Sequence, residues 1–175
     1  MSIDENSRAP LSFLENGIAQ IALVVEDLDK TVERYWQVFG MGPWHFYTYQ
    51  RPLLNMSRYH GQDVDNSLRI ALGYFGPTRM ELIEIKKGPS LQEDFIKDHG
   101  FGVQHLGILV DDMASALEEA RENGFKVIQE GSGFGPDGDG HYAYLNTEDE
   151  FGITYELIER PKGRHQPEKI YPTDS

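Results

Sequence analysis

Gln20-Ile21-Ala22-Leu23-Val24-Val25-Glu26-Asp27-Leu28 and His105-Leu106-Gly107-Ile108-Leu109-Val110-Asp111-Asp112-Met113 are two versions of one phrase. A second pair closes each copy: Met80-Glu81-Leu82-Ile83-Glu84 is echoed by Tyr155-Glu156-Leu157-Ile158-Glu159. The openings lie 85 residues apart and the closings 75, so the copies differ only by loop lengths. Self-similarity of this kind marks a duplicated supersecondary unit, and a unit this small struggles to bury enough apolar surface alone. The copies therefore need each other. If their concave faces merge, one polar residue from each of four strands converges on a point: Gln20, Glu81, His105 and Glu156.

Working outward, each copy reads as strand, helix, then three strands. Ile18 to Val25 alternates loosely between small or polar and branched residues, with Gln20 on the face of Ala22 and Val24. Asp27 or Asp29 caps a helix through Lys30 to Phe39, where Val32, Tyr35, Trp36 and Phe39 recur at helical spacing and Gly40 is the stop. Asp111 or Asp112 does the same for Ala114 to Gly124. The strands expected next are Trp44 to Gln50, Ser67 to Phe75 and Arg79 to Ile85 in the first copy, and Phe125 to Glu130, His141 to Asn146 and Ile153 to Ile158 in the second. The expected fold is α+β: two pseudo-symmetric βαβββ modules, 17–88 and 103–160, forming a curved, barrel-like mixed sheet around a metal site with the helices outside. A linker, 89–102, joins them, and 1–16 and 161–175 read as tails or edge-covering arms.

Composition narrows the function. Sixteen Lys plus Arg against 29 Asp plus Glu give a formal net charge of −13, which repels nucleic acid and anionic membranes. No apolar run approaches a membrane span and Met1 to Pro10 lacks the apolar core of a signal peptide, so the expected location is cytoplasmic. Zero cysteines exclude disulfides, thiolate ligands and a cysteine nucleophile, leaving nitrogen and oxygen to hold any metal.

A carboxylate inside an apolar strand is costly unless it is paired or ligating, and two brought together repel. Glu81 lies between Met80 and Leu82, and Glu156 between Tyr155 and Leu157. One divalent ion resolves this, because two ionised Glu, a neutral imidazole and an amide oxygen make a neutral shell with room for water or substrate. Zn, Co, Ni, Mn, Fe and Mg all accept such ligands, and the sequence does not choose. No other cofactor is indicated. Glu84 and Glu159 have the opposite strand parity and read as solvent-side or strand-end carboxylates. The segment Gly131 to Gly140 lacks the Lys-Ser or Lys-Thr and the helix of a phosphate loop, and reads as a mobile hairpin lid. The remaining histidines have no ligand-spaced partners, although His141 at a strand start is a candidate for the cavity, and Tyr47, Tyr49, Tyr59, Tyr74 and Tyr144 read as walls.

Over about residues 17 to 160 these openings, closings and repeated modules resemble the vicinal oxygen chelate superfamily, which includes glyoxalase I, methylmalonyl-CoA epimerase, extradiol dioxygenases and fosfomycin and bleomycin resistance proteins. The Val-Glu-Asp-Leu-Asp-Lys-Thr-Val stretch into the first helix is most similar to the epimerase branch. That branch usually has His where Gln20 stands and Gln where Glu81 stands, whereas the set Gln20, Glu81, His105, Glu156 resembles zinc glyoxalase I. The resemblance implies a small-molecule substrate that chelates the metal through vicinal oxygens, either a small oxo compound or an acyl thioester. It also implies proton transfer through an enolate, with Glu156 as base and Glu81 as its partner on the opposite side, and a homodimeric assembly. Epimerisation or isomerisation leads; a glyoxalase-like lyase on a thiol adduct and a metal-free binding or resistance protein are the alternatives. A ring-cleaving dioxygenase would call for two His and one carboxylate.

Overall fold

The four quoted strands lie side by side in the middle of one sheet. The computed structural model describes residues 11–173. Its strands are β1 (Gln20–Val24), β2 (Trp44–Tyr49), β3 (Met56–Tyr59), β4 (Gln62–Asp63), β5 (Ser67–Phe75), β6 (Thr78–Lys87), β7 (Gly102–Leu109), β8 (Val127–Ser132), β9 (His141–Leu145), β10 (Thr154–Glu159) and β11 (Lys169–Tyr171). The helices are α1 (Leu28–Phe39), α2 (Leu91–His99), α3 (Met113–Glu122) and a short α4 (Glu148–Phe151). Strand order across the curled mixed sheet is β11-β2-β5-β6-β1-β7-β10-β9-β8-β3-β4.

That order is symmetric about the β1–β7 seam. β1 runs parallel to β6 and β7 parallel to β10, while β1 and β7 are antiparallel to each other. Two further antiparallel strands flank each pair: β5 and β2 on one side, β9 and β8 on the other. Apolar clusters fill the space between sheet and helices in each half. Leu28 and Val32 of α1 pack with Trp44, Phe46, Ala71 and Leu82; Met113, Ala116 and Ala120 of α3 pack with Ile108, Ala143, Leu145 and Leu157.

The helix starts follow from the sequence. Asp27, rather than Asp29, accepts from Lys30 N at 3.0 Å, and Asp112, rather than Asp111, accepts from Ser115 N at 2.9 Å. Gly40 ends α1 in the left-handed region at φ 63°. Glu84 and Glu159 correct the solvent-side reading. Glu84 accepts from Leu28 N at 2.9 Å and Glu159 from Met113 N at 2.6 Å, so each closing carboxylate satisfies the first free amide of its own module's helix.

Three segments outside the expected helices and strands contain ordered elements. The linker 89–102 carries α2, capped by Ser90. The long connection Arg51 to Asn66 forms the β3–β4 hairpin, and β3 pairs with β8 of the other half. The C-terminal arm forms β11, which pairs with β2. Each half's outer strand is thereby covered, and the sheet ends instead on two short strands, β11 and β4, which limits the exposed edge. Of the N-terminal arm, residues 1–10 lie outside the described residues, and Ser12–Asn16 forms a 3-10 turn that buries Phe13.

Candidate metal centre

Register explains the convergence. Ala22 sits opposite Glu81 on β6 and His105 on β7; Gly107 sits opposite Gln20 on β1 and Glu156 on β10. The two smallest side chains of the repeated phrase therefore stand between the four polar ones, on the concave side of the seam. A Cβ added to Gly107 would lie 2.9 Å from Gln20 Cβ and 2.9 Å from Ile158 Cδ1, with Glu156 Oε2 at 3.4 Å. Gly107→Val is expected to cost about 1–3 kcal/mol through overpacking, read as a lower urea midpoint at unchanged m-value.

All four sequence candidates meet. Glu81, His105 and Glu156 each offer a ligand atom, and these atoms lie within 4.8 Å of one another. His105 Nε2 is 3.1 Å from Glu156 Oε2 and 3.4 Å from Glu81 Oε2, and the imidazole is fully buried. Gln20 Nε2 donates to both carboxylates at 3.0 Å. Its Oε1 is turned the other way and accepts from Arg79 Nε at 2.6 Å. The amide therefore presents its nitrogen to the cluster, and only a reversed amide would present oxygen.

Burial works against a charged His105, but the carboxylates of Glu156 and Glu81 outweigh it and raise the imidazole to about 9. On the far side of the ring, Nδ1 lies 2.7 Å from Gln104 Oε1. A proton on Nδ1 is thus held by an amide oxygen, which leaves Nε2 as the ligating nitrogen once the ring is neutral. Gln104 reaches this position because the β1–β7 ladder shifts register, pairing Ala22 with His105 but Leu23 with Val103.

The donor set fits a divalent ion: two carboxylates and one oriented imidazole, buried, without sulfur. Aromatic walls surround it. Tyr144 meets His105 edge-on at 4.9 Å, and Phe134 of the glycine-rich connection stacks on Tyr49 at 5.3 Å. Burial pushes the Tyr49, Tyr142 and Tyr144 phenols up, so they stay neutral. Tyr59 instead bonds Asp94, and Tyr74 is exposed. His141 pairs with Glu130 at 3.0 Å rather than joining the cluster.

The sequence reading missed Gln104, Phe134, Tyr142 and Arg164, and it gives Arg79, one of the few cations near the first half's long loop, no place at the centre. For Arg79 a signal existed: it precedes Glu81 by two positions on one strand and so shares its face. Arg164 comes from the C-terminal arm and lines the hollow over the carboxylates together with Tyr49, Phe134 and Tyr142.

Comparison with known proteins places this architecture. No curated protein sequence matches the chain. Among solved structures, a Streptomyces coelicolor methylmalonyl-CoA epimerase variant bound to 2-nitronate-propionyl-CoA is 19% identical, covering 85% of this chain and 96% of its own, with a TM-score of 0.62. A methylmalonyl-CoA epimerase from Mycobacterium tuberculosis is 22% identical, covering 83% and 89%, at 0.61. A hypothetical protein from Bacillus halodurans C-125 is 21% identical, covering 85% and 97%, at 0.58. At these identities the likeness is one of fold. The model of one family matches residues 19–144, and with the duplicated modules and the curled sheet it is decisive: the chain belongs to the glyoxalase/bleomycin resistance protein/dioxygenase superfamily.

Proposed function

We propose that the protein is a divalent-metal-dependent proton-transfer enzyme, an epimerase or isomerase acting on a small oxo compound or acyl thioester. The observation that carries this reading is the buried meeting of two carboxylates and one imidazole at the seam. Glu81, His105 and Glu156 would hold the ion. When bound there, a divalent ion is a Lewis acid that polarises a carbonyl and acidifies the neighbouring C–H.

The chain's own groups supply the rest. Glu156 is buried beside Tyr49 and Tyr142 in the hollow and is positioned there as the base. Glu81 comes from the other half of the pseudo-twofold arrangement, which supports its role as the partner of Glu156 on the opposite side of the reacting carbon. Gln20 Nε2 bonds both and limits their rotation. Phe134 and Tyr142 exclude water. The paired carboxylates also favour a second reading, a glyoxalase-like lyase on a thiol adduct. Neighbours of known activity act on acyl-CoA compounds, which keeps a thioester among the candidate substrates. Homodimeric assembly and a cytoplasmic location belong to the same reading, and no helix among the described residues is long and apolar enough to cross a membrane.

Elemental analysis of wild type beside His105→Ala tests the centre. The expected result is about one ion per chain, lost in the variant. Deuterium entry at an acidic carbon, across methylmalonyl-CoA and a panel of 2-oxo and 2-hydroxy compounds, then names the reaction. Absence of metal after reconstitution would overturn the reading.

A pH dependence follows from His105. Its imidazole is protonated below about 9 in the metal-free protein, and a ligating imidazole must be neutral. Metal entry at neutral pH should therefore expel about one proton, and affinity should rise with pH until about 9. Calorimetry in two buffers of different protonation enthalpy reads this directly. Equal heats in both would show that His105 gives up no proton.

A further inference from the structure

Arg79 is 5% exposed, yet among the described residues its side chain makes a single hydrogen bond, from Nε to Gln20. The other donors of the guanidinium remain uncommitted. Glu81 and Glu156 are the nearest opposing charges, and in a metal-loaded centre their two negative charges are matched by the ion. Arg79 is then left without a counter-charge inside the protein, a state that burial makes costly.

A cavity of about 340 Å³ adjoins this point, and Arg79 lines it together with His45, Tyr47, Leu72, Tyr74 and Arg164. Both arginines also line the hollow over Glu81 and Glu156, so cavity and centre share a wall. Arg164 is exposed and takes part in no ion pair among the described residues. Its placement is built into the chain. The C-terminal arm leaves β10, is held at Lys162 N by Asp139 Oδ2 at 2.8 Å, and is clamped to β2, where Glu168 N donates to Phe46 O at 2.9 Å and Glu168 Oε1 accepts from Thr48 N at 2.9 Å. Arg164 lies on the span between those fixings. Two arginines lining one small cavity match a carboxylate, whose oxygens take paired N–H donors. The volume is near the lower end for ligand sites, which suits a compact molecule. The overall charge of −13 works against capturing any anion at long range, so a carboxylate has to be bound by these local cations.

We propose that this cavity is a carboxylate subsite: the substrate is a small monoanionic oxo or hydroxy acid whose carboxylate pairs with Arg79 and Arg164, its reacting carbon directed at Glu81 and Glu156. The assignment rests on the metal-centre reading for the orientation of the reacting carbon. The pairing itself rests on the two arginines.

Calorimetric titration of pyruvate and of its neutral amide, pyruvamide, into zinc-loaded and chelator-treated protein tests it. Zinc-loaded wild type should bind pyruvate about 10-fold or more tighter than pyruvamide, and chelator-treated protein should keep a smaller preference carried by Arg164, because Glu81 and Glu156 then oppose Arg79. Arg164→Gln should remove most of that preference without changing metal content, and Arg164→Lys should restore part of it. Failure of pyruvate to bind wild type, equal affinity for the two compounds, or a preference that survives in Arg164→Gln would each overturn the subsite. A chain that takes up no metal would sink the metal-centre reading instead, while the pyruvate preference in chelator-treated protein still decides the subsite.

Discussion

Glu156→Gln is expected to slow exchange of an acidic C–H with solvent by about 10²–10⁴-fold, the ordinary worth of a positioned base. The amide keeps an oxygen and nearly the same shape but has no basic electron pair of comparable strength. The carboxylate it replaces is 4% exposed and bonded to Gln20 Nε2 at 3.0 Å, so no water takes over its position without disturbing the hollow. Glu81→Gln should behave differently if the two carboxylates serve opposite faces. Exchange from one face would continue while inversion of configuration is lost. Metal content measured on the same samples separates the loss of a base from the loss of an ion. Exchange near the wild-type rate in metal-replete Glu156→Gln would move the base elsewhere.

Trp44→Ala should cost about 3–5 kcal/mol, a large share of the stability of an ordinary domain. Trp44 is fully buried beside Leu28, Val32, Phe46 and Leu82, and its indole nitrogen donates to Met41 O at 2.6 Å. The ring also fills the space in front of Gly73, where an added Cβ would lie 2.9 Å from two ring atoms. Gly73→Ala alone should therefore destabilise by overpacking. In the Trp44→Ala background its cost should largely vanish, because the clashing ring is gone. Denaturant midpoints of the two single variants and the double variant check this. Additive losses would show that ring and glycine do not share the space.

Much of the arrangement was legible because duplication writes it twice. Parity within the repeated phrases put Gln20, Glu81, His105 and Glu156 on one face, and helix caps and glycine stops placed α1 and α3. What escaped depends on pairings between distant segments. Nothing local in Arg51 to Asn66 says that Met56–Tyr59 will join β8, nor does Lys169–Tyr171 announce β2 as its partner. Gln104 faces inward only because of a register shift, which period-two reasoning assigns to the other side. Glu84 and Glu159 were placed correctly away from the cavity, but their helix amides became visible only with the packing. Arg79 is within reach of the same parity argument as Glu81, but its burial beside the carboxylates, rare for an arginine, is visible only in the packing.

The β1–β7 seam has a consequence for handedness. A pair of identical modules related by that axis would have to offer matched groups, the same residue at position 20 as at position 105. Such a centre would look the same from either side, and a substrate approaching it would find two equivalent orientations. Carrying both modules in one chain removes that obligation. The carboxylates at 81 and 156 have stayed alike, while an amide now faces an imidazole. Arg79 sharpens the difference, since its counterpart under the repeat, at position 154, is a threonine. The molecule thus keeps the geometry of a twofold pair and the chemistry of an unequal one, which makes the two orientations of a ligand at the centre inequivalent.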